Sequence, residues 1–108
     1  MVRGNNFNSY QKQASQTTVY NKVDLVIYPA LGLLSEAGEV AEKIKKMLRD
    51  STKVTPDDII KELGDVVFYA TALANYFNSD LTEVLQTNMD KLNSRAKRGV
   101  IKGSGDNR

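Results

Sequence analysis

The chain has 108 residues, the length of one domain, with 15 basic and 13 acidic residues and a net charge of +2. It contains neither Cys nor His, which excludes disulfides, thiolate metal sites and imidazole acid–base chemistry. Any catalysis must therefore use carboxylates, Lys, Tyr or a metal-activated water, and the near-balanced charge does not argue for nucleic acid.

The first helix is expected to start near Asn8, with Gln11 three residues on as a capping-box partner. Tyr10, Ala14 and Thr17 would face inward, and the helix should fade between Thr18 and Tyr20, where Thr-Thr-Val is poor helix material. Residues 21–28 read as a turn; Leu25-Val26-Ile27-Tyr28 has strand-like composition but no partner strand. Pro29 suits a first helical position, and a clear helical pattern runs from there to Arg49. Ala30, Leu33, Leu34, Ala37, Val40, Ala41, Ile44, Met47 and Leu48 cover its apolar arc. Gly32, Glu36, Glu39 and Lys43 form the neighbouring strip. Gly38 inside this helix costs about 1 kcal/mol relative to Ala, which a close approach by a ligand or another backbone would explain.

Residues 50–55 form a polar loop. Thr55-Pro56-Asp57-Asp58 then supplies an N-cap, a Pro at the first position and acids in the first turn. The third helix should run to about Phe77, and its apolar arc is so wide that it is expected to be central and mostly buried. Asp58, Glu62, Asp65, Tyr69 and Tyr76 share a narrow strip on it. Asn78-Ser79-Asp80 makes the next turn, with Asp80 and Glu83 as a capping box. A fourth helix follows from Leu81 to about Lys97, ended by Gly99. Its apolar stripe is interrupted by Asn88, with Lys91 and Arg95 continuing on the same side. Residues 1–99 thus read as one helical domain and 100–108 as a flexible C-terminal tail. The first residues lack the apolar stretch of a secretory signal, and no apolar run is long enough to span a membrane. A cytoplasmic protein is the expectation.

The chemistry concentrates in two acidic pairs, Glu36-Ala37-Gly38-Glu39 and Glu62-Leu63-Gly64-Asp65. Residues three apart share a helix face, so two such helices side by side would gather four carboxylates around one spot. In a partly dry site these repel one another and require cations. Hard oxygen donors without His or Cys suit Mg²⁺ or Mn²⁺ rather than zinc. One such pair alone is weak, because acids on solvated helix faces are common, and Glu39 with Lys43 or Glu42 with Lys46 could be ordinary surface charges. Two pairs, each bordering a broad apolar arc, carry more weight.

Gly32-Leu33-Leu34-Ser35-Glu36-Ala37-Gly38-Glu39-Val40-Ala41-Glu42, followed by Glu62-Leu63-Gly64-Asp65-Val66-Val67-Phe68-Tyr69, resembles the MazG family of nucleoside triphosphate pyrophosphohydrolases, within the all-α NTP pyrophosphatase superfamily. The resemblance extends to Tyr10-Gln11, to Asn88, Lys91, Leu92 and Arg95, and to Gly103-Ser104-Gly105-Asp106 with Arg108. It departs at Ser35, where many members carry an additional Glu. It implies an all-α, four-to-five-helix subunit whose bundle is completed by oligomerisation, as a dimer or tetramer. It implies Mg²⁺-dependent hydrolysis of a nucleoside triphosphate to monophosphate and pyrophosphate, with Mn²⁺ as a substitute ion. Matched by position, Glu36, Glu39, Glu62 and Asp65 would be the metal ligands, and Glu39 or Glu36 would orient or deprotonate the attacking water. Tyr69 would stack on the base, although the pattern alone favours an amphipathic core residue. Asn88, Lys91 and Arg95 would reach the phosphates or the sugar; the plain alternative is a backbone-bonding Asn and a solvated cationic flank. The competing functions are a pyrophosphohydrolase for another nucleotide, such as phosphoribosyl-ATP, and a non-catalytic helical interaction module. Nucleic-acid binding through the basic end is a weaker reading.

Overall fold

The structure is a computed structural model that describes residues 6–18 and 24–108. The expected fading of the first helix near Thr18 to Tyr20 and the turn beginning at Asn21 fall partly outside those residues. The described chain is all-α, with helices α1 (Asn6–Ser15), α2 (Ile27–Asp50), α3 (Pro56–Tyr76) and α4 (Leu81–Lys97) and no strands. α2 and α3 form the most extensive pair, α1 lies against α3 and α4, and α4 touches α3 only slightly. No described helix is long and apolar enough to cross a membrane.

The helix boundaries follow local chemistry. Before α3, Thr55 and Asp58 form a reciprocal capping box: Asp58 N donates to Thr55 Oγ1 (3.2 Å) and Thr55 N donates to Asp58 Oδ2 (3.0 Å). The Thr55 backbone N–H, followed by its hydroxyl, holds the Asp58 carboxyl below its usual range. α3 ends in a Schellman motif, with Asn78 left-handed (φ 55°) and Ser79 N bonded to Ala74 O (2.9 Å). α4 ends the same way, with Gly99 at φ 71° and Val100 N bonded to Arg95 O (2.9 Å), so Gly99 is the expected stop. α2 begins at Ile27, earlier than expected, and Val26 provides no side-chain cap. Pro29 therefore stands third in the helix, where the N–H it lacks would have had no intrahelical partner anyway.

The N-terminus of α4 is satisfied mostly from elsewhere. Leu81 N donates to Gln11 Oε1 (2.6 Å), Thr82 N to Asn8 Oδ1 (3.1 Å) and Glu83 N to Asp80 Oδ1 (2.7 Å). Three N–H groups that the helix itself cannot pair are thus matched by three side chains, two of them from α1. The amide of Gln11 also donates to Asn75 Oδ1 (2.7 Å) and Ser79 O (3.0 Å). Asn8 and Gln11 consequently do not cap α1, which already begins at Asn6; they clamp α1 to the α3–α4 turn. Asp80 caps α4 as expected, and no return bond from Glu83 accompanies it.

α3 is central in that it meets all three other helices, but it is not mostly buried. Ile60, Leu63, Val67 and Tyr76 are exposed, and the buried apolar side chains among the described residues are Pro29, Ala74 and Leu81. One chain covers the sides of α3 that face α1 and α2 and leaves the rest open. The α4 stripe of Val84, Leu85, Met89 and Leu92 is likewise uncovered. The radius of gyration, 16.5 Å, exceeds the roughly 13 Å of a compact domain of this length.

Beyond Gly99 the tail folds back on α4. Arg95, 6 % exposed, donates through Nη2 to Asp106 O (2.9 Å) and lies 3.4 Å from Asp106 Oδ1, while Lys91 Nζ reaches the same carboxylate at 3.0 Å. Arg108 donates to the carbonyls of Val100, Ile101 and Gly105.

Candidate metal centre and nucleotide recess

Packing α2 against α3 brings Glu36, Glu62 and Asp65 together, with carboxylate oxygens within 4.8 Å of one another. Glu36 and Glu62 are half-buried and Asp65 is exposed. Partial desolvation pushes the Glu36 carboxyl above its usual range. A hydrogen bond with Glu62 and the charges of Asp65, Glu62 and Glu39 add to the effect. Such a cluster favours a proton or a cation. Its three hard oxygen donors on two rigid helices fit a divalent ion of the Mg²⁺ or Mn²⁺ kind.

Glu39, expected as a fourth member, stands apart from this trio. It lies one turn further along α2, is exposed, and is near enough for its charge to be felt at Glu36. Lys43, read from sequence chiefly as a surface charge, sits with Nζ 3.6 Å from Glu62 Oε1. The strip Gly32–Glu36–Glu39–Lys43 was the available signal for it. On the other side, α1 supplies Tyr10, whose hydroxyl is pushed up by burial and then by the charge of Asp65.

Next to the trio is an open recess of about 330 Å³, lined by Tyr28, Leu31, Gly32, Ser35, Glu36 and Tyr69. Tyr69 follows Asp65 by one turn of α3, and its ring lies against α2 at Gly32. Its ring centroid is 6.4 Å from that of Tyr28, in a tilted arrangement, and 5.3 Å from that of Phe68. Tyr28 belongs to the segment with ambiguous local pattern, which hid it from sequence reasoning. A Cβ on Gly38 or Gly64, the glycines inside the acidic pairs, would meet nothing within 4 Å among the described residues, so no other backbone of those residues approaches Gly38; at Gly32 the Tyr69 ring does come close. Another recess, about 270 Å³ between α1 and α3, is lined by Ser15, Thr18, Leu25, Ala72, Asn75 and Tyr76 and holds no carboxylate.

The α4 residues do not join the trio. Asn88 borders a different hollow with Phe7, Thr82 and Met89, and Lys91 and Arg95 are engaged by Asp106. Arg95 is therefore no solvated flank.

These features define a class: an all-α protein with a carboxylate cluster between paired helices and an aromatic-walled recess beside it. Residues 29–100 match the family model described as the MazG nucleotide pyrophosphohydrolase domain. The chain is also 46 % identical over 109 aligned residues to the Gene 37 protein of Mycobacterium phage L5, covering 92 % of this chain and 96 % of that one. No solved structure gives a significant match. The chain belongs to the MazG family, and membership implies nucleotide pyrophosphohydrolysis supported by divalent metal.

Proposed function

We propose that the protein hydrolyses nucleoside or deoxynucleoside triphosphates to the monophosphate and pyrophosphate, with Mg²⁺ or Mn²⁺, in nucleotide-pool housekeeping. The observation that carries this reading is the trio Glu36, Glu62 and Asp65 within 4.8 Å beside the recess that Glu36 itself lines. These three residues, with Glu39 alongside, would hold the metal. A divalent ion held there would neutralise charge at phosphorus and make water a usable nucleophile near neutral pH.

The chain's own residues supply the rest. Water forms a bond to the α-phosphorus, the bond from that phosphorus to the α–β bridging oxygen breaks, and pyrophosphate leaves with that oxygen. Glu39, exposed and outside the trio, keeps a carboxylate available to orient the water and take its proton. Tyr69 offers a ring face to the base, and the recess is large enough for one. Asn88, Lys91 and Arg95 present the cationic side of α4 to phosphates or sugar, where a phosphate would compete with Asp106 for the two cations.

The subunit is further proposed to work as a homo-oligomer, dimer or tetramer. Its accessible surface is 8133 Å², against roughly 6,000 Å² for a compact chain of this mass. Uncovered apolar side chains on α2, α3 and α4, such as Leu48, Leu63 and Met89, account for part of the surplus. A second copy is the partner always present at the right concentration, and standard interfaces cover about 800 Å² per subunit. Light scattering at micromolar concentration is expected to give a dimer or larger; a monomer would overturn this part. The activity is tested with a panel of NTPs and dNTPs and Mg²⁺, scored for pyrophosphate and monophosphate. Release of orthophosphate instead, or no turnover of any member, would overturn the catalytic reading.

A further inference from the structure

Gly32 stands inside α2, where a glycine weakens the helix. A Cβ placed on it would lie 2.5, 2.6 and 2.7 Å from Cε1, Cζ and Cδ1 of Tyr69. Carbon atoms settle at about 3.5–4.0 Å, so any side chain at 32 would displace the Tyr69 ring by roughly 1 Å. Gly38 and Gly64 face open space, so this constraint is particular to Gly32. The displaced ring is a wall of the recess that Glu36 shares, and Tyr28 stands 6.4 Å from it.

We infer that Gly32 is a positioning residue for the nucleotide: its missing side chain lets the Tyr69 ring seat against the α2 backbone and so fixes the aromatic wall of the recess beside Glu36. The inference rests on the proposed activity and assigns the recess wall to a residue that touches neither phosphate nor metal. Ala is a better helix former than Gly, and a ring at the end of a side chain can swing aside without unfolding α2 or α3. Replacement of Gly32 should thus leave the fold intact while spoiling the recess. Loss of binding without loss of stability is a signature that a merely structural glycine would not give. The metal trio should be untouched, because no atom of Glu36, Glu62 or Asp65 lies among the neighbours a Cβ at 32 would meet most closely.

The test uses the whole protein and compares wild type, Gly32→Ala, Tyr69→Leu and the double variant. Four readouts are taken: KM and kcat on the best nucleotide of the panel, the Kd for Mn²⁺ alone, the thermal melt, and the Gly32 Hα chemical shifts. The wild-type Hα signals should be ring-current shifted and should lose that shift in Tyr69→Leu. Gly32→Ala should raise KM about tenfold or more with kcat within threefold, an unchanged Mn²⁺ Kd and a melting temperature at or above wild type. In the Tyr69→Leu background, Gly32→Ala should add nothing further to KM. An active wild type with unchanged KM in Gly32→Ala overturns the role of Gly32 alone. Equal KM effects in the presence and absence of the Tyr69 ring overturn it too, as does a melt that falls in step with activity. A wild type inert on the whole panel overturns the underlying activity, and the Hα shifts then decide only whether the ring is seated at Gly32.

Discussion

Replacing Gln11 by Met removes three hydrogen bonds while keeping most of the side-chain volume. The bond from Leu81 N is the most consequential, because Leu81 is buried at 8 % exposure and its N–H would have no water to turn to. Leaving such a donor unpaired costs about 1–3 kcal/mol. Asn75 is exposed and Ser79 only half-buried, so their oxygens can be hydrated, at about 0.5 kcal/mol each. The sum is about 2–4 kcal/mol, or a fall in Tm of roughly 10–20 °C for a domain of this size. Asn8→Ala, which removes the more exposed cap on Thr82 N, should cost about 1 kcal/mol. The assay is thermal unfolding of both variants at one fixed protein concentration, since association itself shifts Tm. A Gln11→Met shift under about 3 °C, or one smaller than that of Asn8→Ala, would refute the reasoning.

Glu39→Gln should abolish pyrophosphate release with an unchanged melt, whereas the Glu62→Gln, Asp65→Asn pair should also weaken Mn²⁺ binding at least tenfold by calorimetry; full activity in the latter would remove the site. Lys43→Met should tighten binding of Mn²⁺ alone by about two- to tenfold at low salt, because the ammonium 3.6 Å from Glu62 no longer competes, and salt should shrink the effect. A looser metal site in that variant would contradict the competition. The Asp106 carboxyl is held below its usual range by its hydrogen bond and charge pairing with Lys91 and then by Arg95. A lowered folded pKa contributes stability in full above about pH 3.9 and loses it as pH falls below that toward the folded value. Amide exchange at residues 100–108 should therefore accelerate in that acid window, and at neutral pH in Arg95→Ala; protection that ignores both would release Asp106 from the clasp.

Much of the fold was legible because its signals are local. Thr55-Pro56-Asp57-Asp58 starts α3 and Gly99 stops α4 through bonds to residues a few positions away, so the chain itself carries both ends. The acidic pairs were visible for the same reason: three-residue spacing places both members on one side of a helix, whatever the helix meets. Which acids converge was not local. Glu36 joins Glu62 and Asp65 while Glu39 stays outside, because the relative rotation of α2 and α3 is settled by packing across their whole length. Gln11 looked like a cap for its own helix and instead serves residues 64–70 positions away, since a buried N–H accepts whichever oxygen the tertiary fold brings to it. The resemblance implied phosphate or sugar contacts for Lys91 and Arg95, and that Asp106 of the folded-back tail lies against both cations was visible only in the tertiary structure. The pattern put Gly32 on the strip of Glu36, Glu39 and Lys43 but gave it no role, because a missing side chain acquires meaning only from what occupies its space. Here that occupant is a ring from the neighbouring helix, a relation that exists only once α2 and α3 are packed together.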